Sequence, residues 1–206
     1  DDYQPTVSKL AFSRLANTGT FITIHNLDIP IIKNGWNIDS VKKELQDFFG
    51  HLVRQGNNKI DIILNGESLQ FDYTLTGYTF PRIEETFEYE MEHQLLTSEV
   101  SMNLTLLQSP GDFKSSNLDG VTIVSETKIR TLTSDDVFGT QSSKLHKLFQ
   151  NLRGFIVCND LSSVLDHTGM PAKDLSHHSL RSDHPLTKPF LNKVSELIVD
   201  LLTSYM

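Results

Sequence analysis

A cluster of histidine and aspartate side chains near the C-terminal end gives this sequence its most evident capacity for chemistry. The cluster lies between residues 166 and 184 and consists of Asp166, His167, Asp174, His177, His178, Asp183 and His184. Carboxylates and imidazoles together can bind zinc or a pair of metal ions. On that hypothesis His178, Asp183 and His184 would be the first ligands, and the protein would be a metal-dependent hydrolase.

The spacing within the cluster also allows a purely structural interpretation. No H-E-x-x-H pattern occurs, and the adjacent His177 and His178 would point apart on a helix or a strand. Aspartate and serine are common in surface loops, where their side chains cap helix ends. We therefore favour a polar surface loop over a metal site, and we expect no metal.

Other catalytic patterns are weaker. The single cysteine, Cys158, ends the apolar run GFIVC, and burial in such surroundings would raise its pKa and leave the thiol inert. No G-x-S-x-G elbow supports a serine nucleophile, and no Walker A loop is present. One cysteine cannot form an intrachain disulfide, which suits a reducing intracellular compartment, cytoplasmic or nuclear.

Residues 37–71 are predicted to form a helix followed by a strand and a hairpin. The helix is indicated by apolar residues that recur every three or four positions: Val41, Leu45, Phe48, Phe49, Leu52 and Val53. The period changes to two at residues 60–64, and Asn65-Gly66 is a typical hairpin turn. A helix and a hairpin that turn their apolar faces to one core predict an α+β fold.

Further elements follow from the same patterns. Strands are predicted at 20–27, 87–94, 99–107, 121–132 and 154–158, with a break at Pro81 and a bend near Thr97-Ser98. A short helix is predicted around 145–149. The closing helix, 185–206, has an apolar face formed by Phe190, Val194, Leu197, Ile198, Leu201 and Leu202.

Composition limits the possible classes of protein. A chain of 206 residues suits one large domain, or one domain with part of another, and a 38% hydrophobic content is enough for a packed core. The net charge of −8 argues against this chain being a main nucleic-acid-binding surface, because phosphate binding depends on clustered Lys and Arg. No apolar run approaches the roughly 20 residues of a membrane helix. The acidic start lacks a signal peptide and an initiator methionine, so we expect a fragment or a processed chain.

Several short phrases occur in an order typical of one superfamily. The phrases are GTFITIHNL at 19–27, FFGHLV at 48–53, IDIILNGESL at 60–69, GVTIVSETKI at 120–129, LRGFIVCND at 152–160 and TGMPAKDL at 168–175. Their order resembles the C-terminal half of a GHKL ATPase, the superfamily of gyrase, heat-shock chaperones, histidine kinases and MutL. The later phrases are most similar to the microrchidia and heat-shock-chaperone branch.

The resemblance implies a domain organisation. Residues 1–36 would be the last strand and exit segment of a nucleotide-binding lobe, and residues 37–206 would be a transducer-like domain. Such a transducer is expected to have a mixed sheet of four to five strands backed by helices. It would have a ribosomal-protein-like fold with a left-handed crossover.

The resemblance also implies a site. Lys173, followed by Asp174 and Leu175, matches the arrangement in which a transducer lysine contacts the γ-phosphate of ATP. Gly169 and Pro171 would shape the loop that carries it, and Gly169 with Lys173 would form the cofactor contact. A flexible ammonium can sense whether a terminal phosphate is present. Lys128 and Arg130 are alternative candidates, and Lys173 as a solvated loop lysine is the simpler interpretation.

The sequence departs from the superfamily in one decisive respect. A helix with the catalytic Glu and the metal-holding Asn, a D-x-G-x-G loop and a glycine-rich lid are all missing. This chain alone is therefore expected neither to bind ATP tightly nor to hydrolyse it, and ATP and Mg would belong to the intact parent.

The expected partners follow from the same resemblance. They are an N-terminal ATPase lobe, a second copy of the parent in a homodimer, and a DNA or protein client, without a membrane. A protein-interaction module with no link to nucleotide is the alternative function from a different class.

Overall fold

The computed structural model describes four main segments of the chain. They are 75–108, 120–139, 143–174 and 179–206, with a short ribbon at 63–64 and 67–68 and the single positions Val41 and Leu45. Packing divides the chain into two compact units, Asp1–Lys42 and Lys43–Met206. Val41 and Leu45 are helical, as predicted.

Three predictions on the N-terminal part lie outside the described residues. They are the strand at 20–27, the remainder of the helix within 37–71, and the domain boundary at residue 36. The two-residue hairpin predicted at Asn65-Gly66 agrees with the ribbon, because Leu64 pairs with Glu67 across it.

The strands in chain order are β1 Ile63–Leu64, β2 Glu67–Ser68, β3 Gly77–Thr79, β4 Ile83–Met91, β5 Gln94–Leu107, β6 Val121–Ser125, β7 Thr127–Leu132, β8 Leu152–Val157, β9 Lys173–Asp174 and β10 Ser179–Leu180. The described helices are α1 Ser134–Phe138, α2 Ser143–Gln150, α3 Asp160–Ser163 and α4 Thr187–Tyr205. Within the part of the chain that the structure describes, no helix combines the length and apolar character needed to cross a membrane.

The central sheet is mixed and contains β3 to β8. Its order is β3-β5-β8-β6-β7, with β4 also paired to β5. The pairs are antiparallel except β6 with β8, which run parallel. The strands β3 and β4 lie end to end along one side of β5, separated at Pro81, whose ring nitrogen cannot donate to a ladder. The predicted α+β class with a mixed sheet is confirmed.

The turn of the long β4–β5 hairpin has no glycine, asparagine or proline to mark it in the sequence. Glu92 and His93 form its two-residue loop, with φ of 54° and 63°, as a tight hairpin requires. The bend predicted near Thr97-Ser98 is wrong, because both residues lie inside β5 opposite Glu88 and Phe87. Ser98 is buried within the strand.

Residues 121–132 form a second hairpin, and the prediction of one continuous strand is wrong. Glu126 alone separates β6 from β7 and has a φ of 59°. All five residues of β6 are buried, and the strand pairs with β7 on one side and β8 on the other. The strand predicted at 154–158 is confirmed as β8, which begins two residues earlier.

Helix α4 packs against the sheet and contacts β4 of the long hairpin. Its predicted apolar face is confirmed: five of the six residues are buried, and Leu201 is partly buried against the core. Phe190 meets Phe87 of β4 with ring centroids 6.3 Å apart. The short helix predicted around 145–149 is confirmed as α2, and a further short helix, α1, precedes it. Thr133 and Asp136 form a capping box at the start of α1.

Candidate functional site

The described residues of the predicted lysine loop belong to a small hairpin that lies between α3 and α4 in the chain. We call its described residues, 165–174 and 179–181, the lysine hairpin. Leu165 bridges Pro171, and Gly169 occupies the turn with a φ of 76°. Lys173 then pairs with Leu180. The described part of the predicted polar surface loop is therefore a folded element, because backbone pairing and three buried residues, Asp166, Ala172 and Lys173, hold it.

Asp166 is the polar centre of the lysine hairpin. Its Oδ1 accepts hydrogen bonds from the Thr168 hydroxyl, the Thr168 N–H at 2.9 Å and the Met170 N–H at 3.1 Å. Only 5% of its side chain is exposed. The Thr168 hydroxyl is the largest cause that holds the pKa of Asp166 well below its usual range, and Arg181 adds to it.

Arg181 joins this carboxylate to the strand that leads into α4. Its Nη2 lies 2.9 Å from Oδ2 of Asp166 and 2.8 Å from Oδ2 of Asp183, and its Nε donates to Asp183 Oδ1 at 3.1 Å. Its backbone N–H donates to the Ala172 carbonyl at 2.7 Å. The hydrogen bond from Arg181 lowers the pKa of Asp183. We call the buried half of this arrangement the Asp166–Arg181 clamp.

Lys173 itself is buried, with 7% of the residue exposed, and it takes part in an interaction of its own. It is not the solvated loop lysine of the simpler interpretation. Gly169 lies in the same hairpin, four positions earlier along the chain. The alternatives Lys128 and Arg130 lie on β7, where Arg130 forms an ion pair with Asp136 at the start of α1.

His184 serves the fold at the start of α4. It is 2% exposed, and its Nδ1 accepts the Leu186 N–H at 3.2 Å. Burial is the main cause that lowers the pKa of His184. Arg181 lowers it further, whereas Asp166 and Asp183 raise it.

The proposed metal ligands are not gathered into a metal site among the described residues. Asp183 pairs with Arg181, and His184 uses Nδ1 for the Leu186 N–H. His178 lies outside the described residues. In the segments that the structure does describe, no three His, Cys, Asp or Glu side chains converge in a way that could hold a metal ion.

Acid should destabilise this protein through His184. Its pKa is lowered in the folded state, so its contribution is complete above the unfolded-state value of about 6.5. The unfolded chain binds the proton first as pH falls, and stability is lost until the folded pKa is passed. Urea unfolding between pH 8 and pH 5 measures this loss. His184→Asn, whose side-chain oxygen can still accept the Leu186 N–H, should show a weaker pH dependence over that window. An identical pH dependence in the two proteins would contradict the assignment.

A groove of about 760 Å³ opens on the β4–β5 hairpin, and its lining contains no residue of the lysine hairpin. Its lining includes the carboxylates of Glu84, Glu85, Glu99 and Asp160. Arg82, the cation of the lining, forms an ion pair with Glu84 at 3.0 Å. Carboxylates repel phosphate oxygens, so this groove is unsuited to a nucleotide phosphate.

Cys158 behaves as predicted. It is fully buried at the end of β8, and burial raises its pKa to about 12. A thiol with so high a pKa is almost entirely protonated at neutral pH and is a poor nucleophile. Its backbone N–H donates to the Val124 carbonyl and holds the exit of β8 against β6.

Searches of family models, curated proteins and solved structures give no match to this chain. The resemblance to GHKL ATPases stays a prediction.

Proposed function

We propose that this chain is the transducer part of a GHKL-type ATPase. It would relay the nucleotide state of an ATP-binding lobe to a dimer interface or to a downstream effector, which could be a DNA or protein client. ATP and Mg would be bound by that lobe in the parent. The observation that carries the proposal is the position of Lys173 on an ordered, clamped hairpin between the central sheet and the closing helix.

The architecture supports this proposal. A transducer needs a stiff sheet backed by helices and one element that can take two positions. The mixed sheet of β3 to β8 with α4 packed on it meets the first requirement. The lysine hairpin is the candidate for the second, because its β9–β10 ladder has two residue pairs, while Ala172 and Leu180 attach it to the core.

The site chemistry also supports it. An ammonium on a four-carbon stem is a mobile point charge that can follow the presence of a γ-phosphate. Displacement of Lys173 would be transmitted to α4 by a short chain of backbone contacts. The His184 N–H donates to the Arg181 carbonyl at 3.4 Å, and the Thr187 N–H donates to the His184 carbonyl at 3.1 Å.

The coding sequence that precedes Asp1 is the first test. It should encode a helix with a catalytic Glu and a metal-holding Asn, together with a D-x-G-x-G loop. If an extended reading frame encodes an unrelated fold instead, the proposal fails. The protein-interaction module would then be the better hypothesis.

Lys173→Ala is the second test, made in the polypeptide or complex that joins this chain to its ATP-binding lobe. We expect ATP turnover to fall by about a hundredfold to a thousandfold, because the loss of one positioned donor to a developing negative charge has an effect of that order. Steady-state hydrolysis measures it. Lys188→Ala is the matched control, because Lys188 is exposed on α4. Equal turnover in both variants and the wild type would contradict the role of Lys173.

A further inference from the structure

We infer that Asp166 and Arg181 are positioning residues for Lys173. Their ion pair keeps the lysine hairpin closed, and its rupture releases Lys173 while the sheet stays folded. The inference deepens the proposed function and rests on it only for the role of the lysine. The closed and open positions themselves are properties of this chain.

The closed position is held by a buried carboxylate whose partners, among the described residues, lie in the lysine hairpin. Three donors from Thr168 and Met170 fix one oxygen of Asp166, and Arg181 fixes the other. A buried carboxylate that loses its cation bears an uncompensated charge, so the closed state depends strongly on this pair.

Register connects the clamp directly to the lysine. The Arg181 N–H donates to the Ala172 carbonyl, and Lys173 pairs with Leu180 one position further along the ladder. Arg181 and Lys173 thus belong to the same two-stranded ribbon. A shift of Arg181 away from Asp166 would carry Lys173 with it.

Asp183 makes the open position accessible. The same Nη2 atom of Arg181 contacts both carboxylates, and the side chain of Asp183 is 70% exposed. When Arg181 leaves Asp166, it keeps a bidentate ion pair with Asp183 near solvent. The guanidinium is therefore paired in both positions, and only the buried carboxylate loses a partner.

Amine labelling of this chain tests the inference without nucleotide. Acetic anhydride is used at substoichiometric amounts, and the extent of modification of Lys173 is read by peptide mass spectrometry. Asp166→Asn should raise the labelling rate of Lys173 on the order of tenfold, since buried groups react through local opening. Exposed Lys188 serves as the internal reference, and its rate should not change.

Two further variants separate positioning from general stability. Asp183→Asn removes the exposed partner of Arg181 and should leave Lys173 as protected as in the wild type. Thr168→Val removes the hydroxyl donor to Asp166 and should give an intermediate rate if Asp166→Asn folds poorly. Amide exchange in β5 and β8 should stay at the wild-type level in all three variants.

Three results would overturn the inference. They are an unchanged Lys173 rate in Asp166→Asn, an equal rise in Asp183→Asn, and a loss of amide protection that extends through β5 and β8. None of them involves ATP, so the clamp can fail while Lys173→Ala still lowers turnover. Conversely, a working clamp in a protein without any nucleotide response would refute only the transducer role.

Discussion

Replacing Gly154 by alanine should lower the free energy of unfolding by about 3–5 kcal/mol. Gly154 lies in β8 opposite Leu104 of β5, with a φ of 141°. A Cβ atom there would lie 2.1 Å from the carbonyl oxygen of Asn103. That oxygen belongs to the backbone of the central strand, so the clash cannot be relieved by rotating a side chain. Urea unfolding followed by circular dichroism measures the change.

Gly139→Ala is the matched control for this prediction. Gly139 ends α1 with a φ of 59°, and a Cβ atom there would meet nothing within 4 Å. The Gly139→Ala variant should therefore lose only about 1 kcal/mol of unfolding free energy, the cost of a left-handed backbone conformation for alanine. Equal losses in the two variants would mean that the backbone conformation, and not the close approach of β5 and β8, requires glycine at position 154.

Gly154 also bears on the site. Its N–H donates to the Gly120 carbonyl at 3.2 Å, which ties β8 to the start of β6. The chain leaves this strand at Cys158, forms α3 and enters the lysine hairpin. A displaced β8 would therefore move the N-terminal end of the segment that carries Lys173.

The elements with a strong hydrophobic period were predictable from the sequence. The closing helix has a continuous apolar face, and β8 is a short apolar strand, so both were found with small errors at their ends. The hairpins were harder. Glu92, His93 and Glu126 adopt positive φ without glycine or asparagine, and the turn chemistry that marks such positions in a sequence is absent.

The site was only partly predictable, for a related reason. Lys173 and Gly169 came from a short phrase, whereas the Asp166–Arg181 clamp joins residues from the two ends of the hairpin. A local signal for half of it does exist. An aspartate followed by Thr168 and Gly169 is typical of a turn in which the side chain accepts backbone N–H groups. Which cation pairs with Asp166 depends on the register of the β9–β10 ladder, and the sequence pattern does not reveal that register.

Phe190→Ala should reduce the free energy of unfolding by about 3–5 kcal/mol, as large-to-small changes in a packed core do. Phe190 is fully buried in the first turns of α4 and contacts Phe87 of the long hairpin. Its removal leaves a cavity at the place where the helix meets the sheet. Urea unfolding with a two-state fit measures the loss.

Leu191→Ala separates burial from helix position. Leu191 is the next residue of α4 and is only partly buried against the core, so its truncation should cost less than half as much as that of Phe190. The double variant with Phe87→Ala should be less destabilised than the sum of the single changes, because the two rings share one contact. Strict additivity, or a Leu191 effect equal to that of Phe190, would show that α4 is not anchored to the β4–β5 hairpin through this pair. In that case α4 would have no fixed contact with the β4–β5 hairpin. A displacement of the lysine hairpin could then not be transmitted through α4 to the sheet, as the proposed function requires.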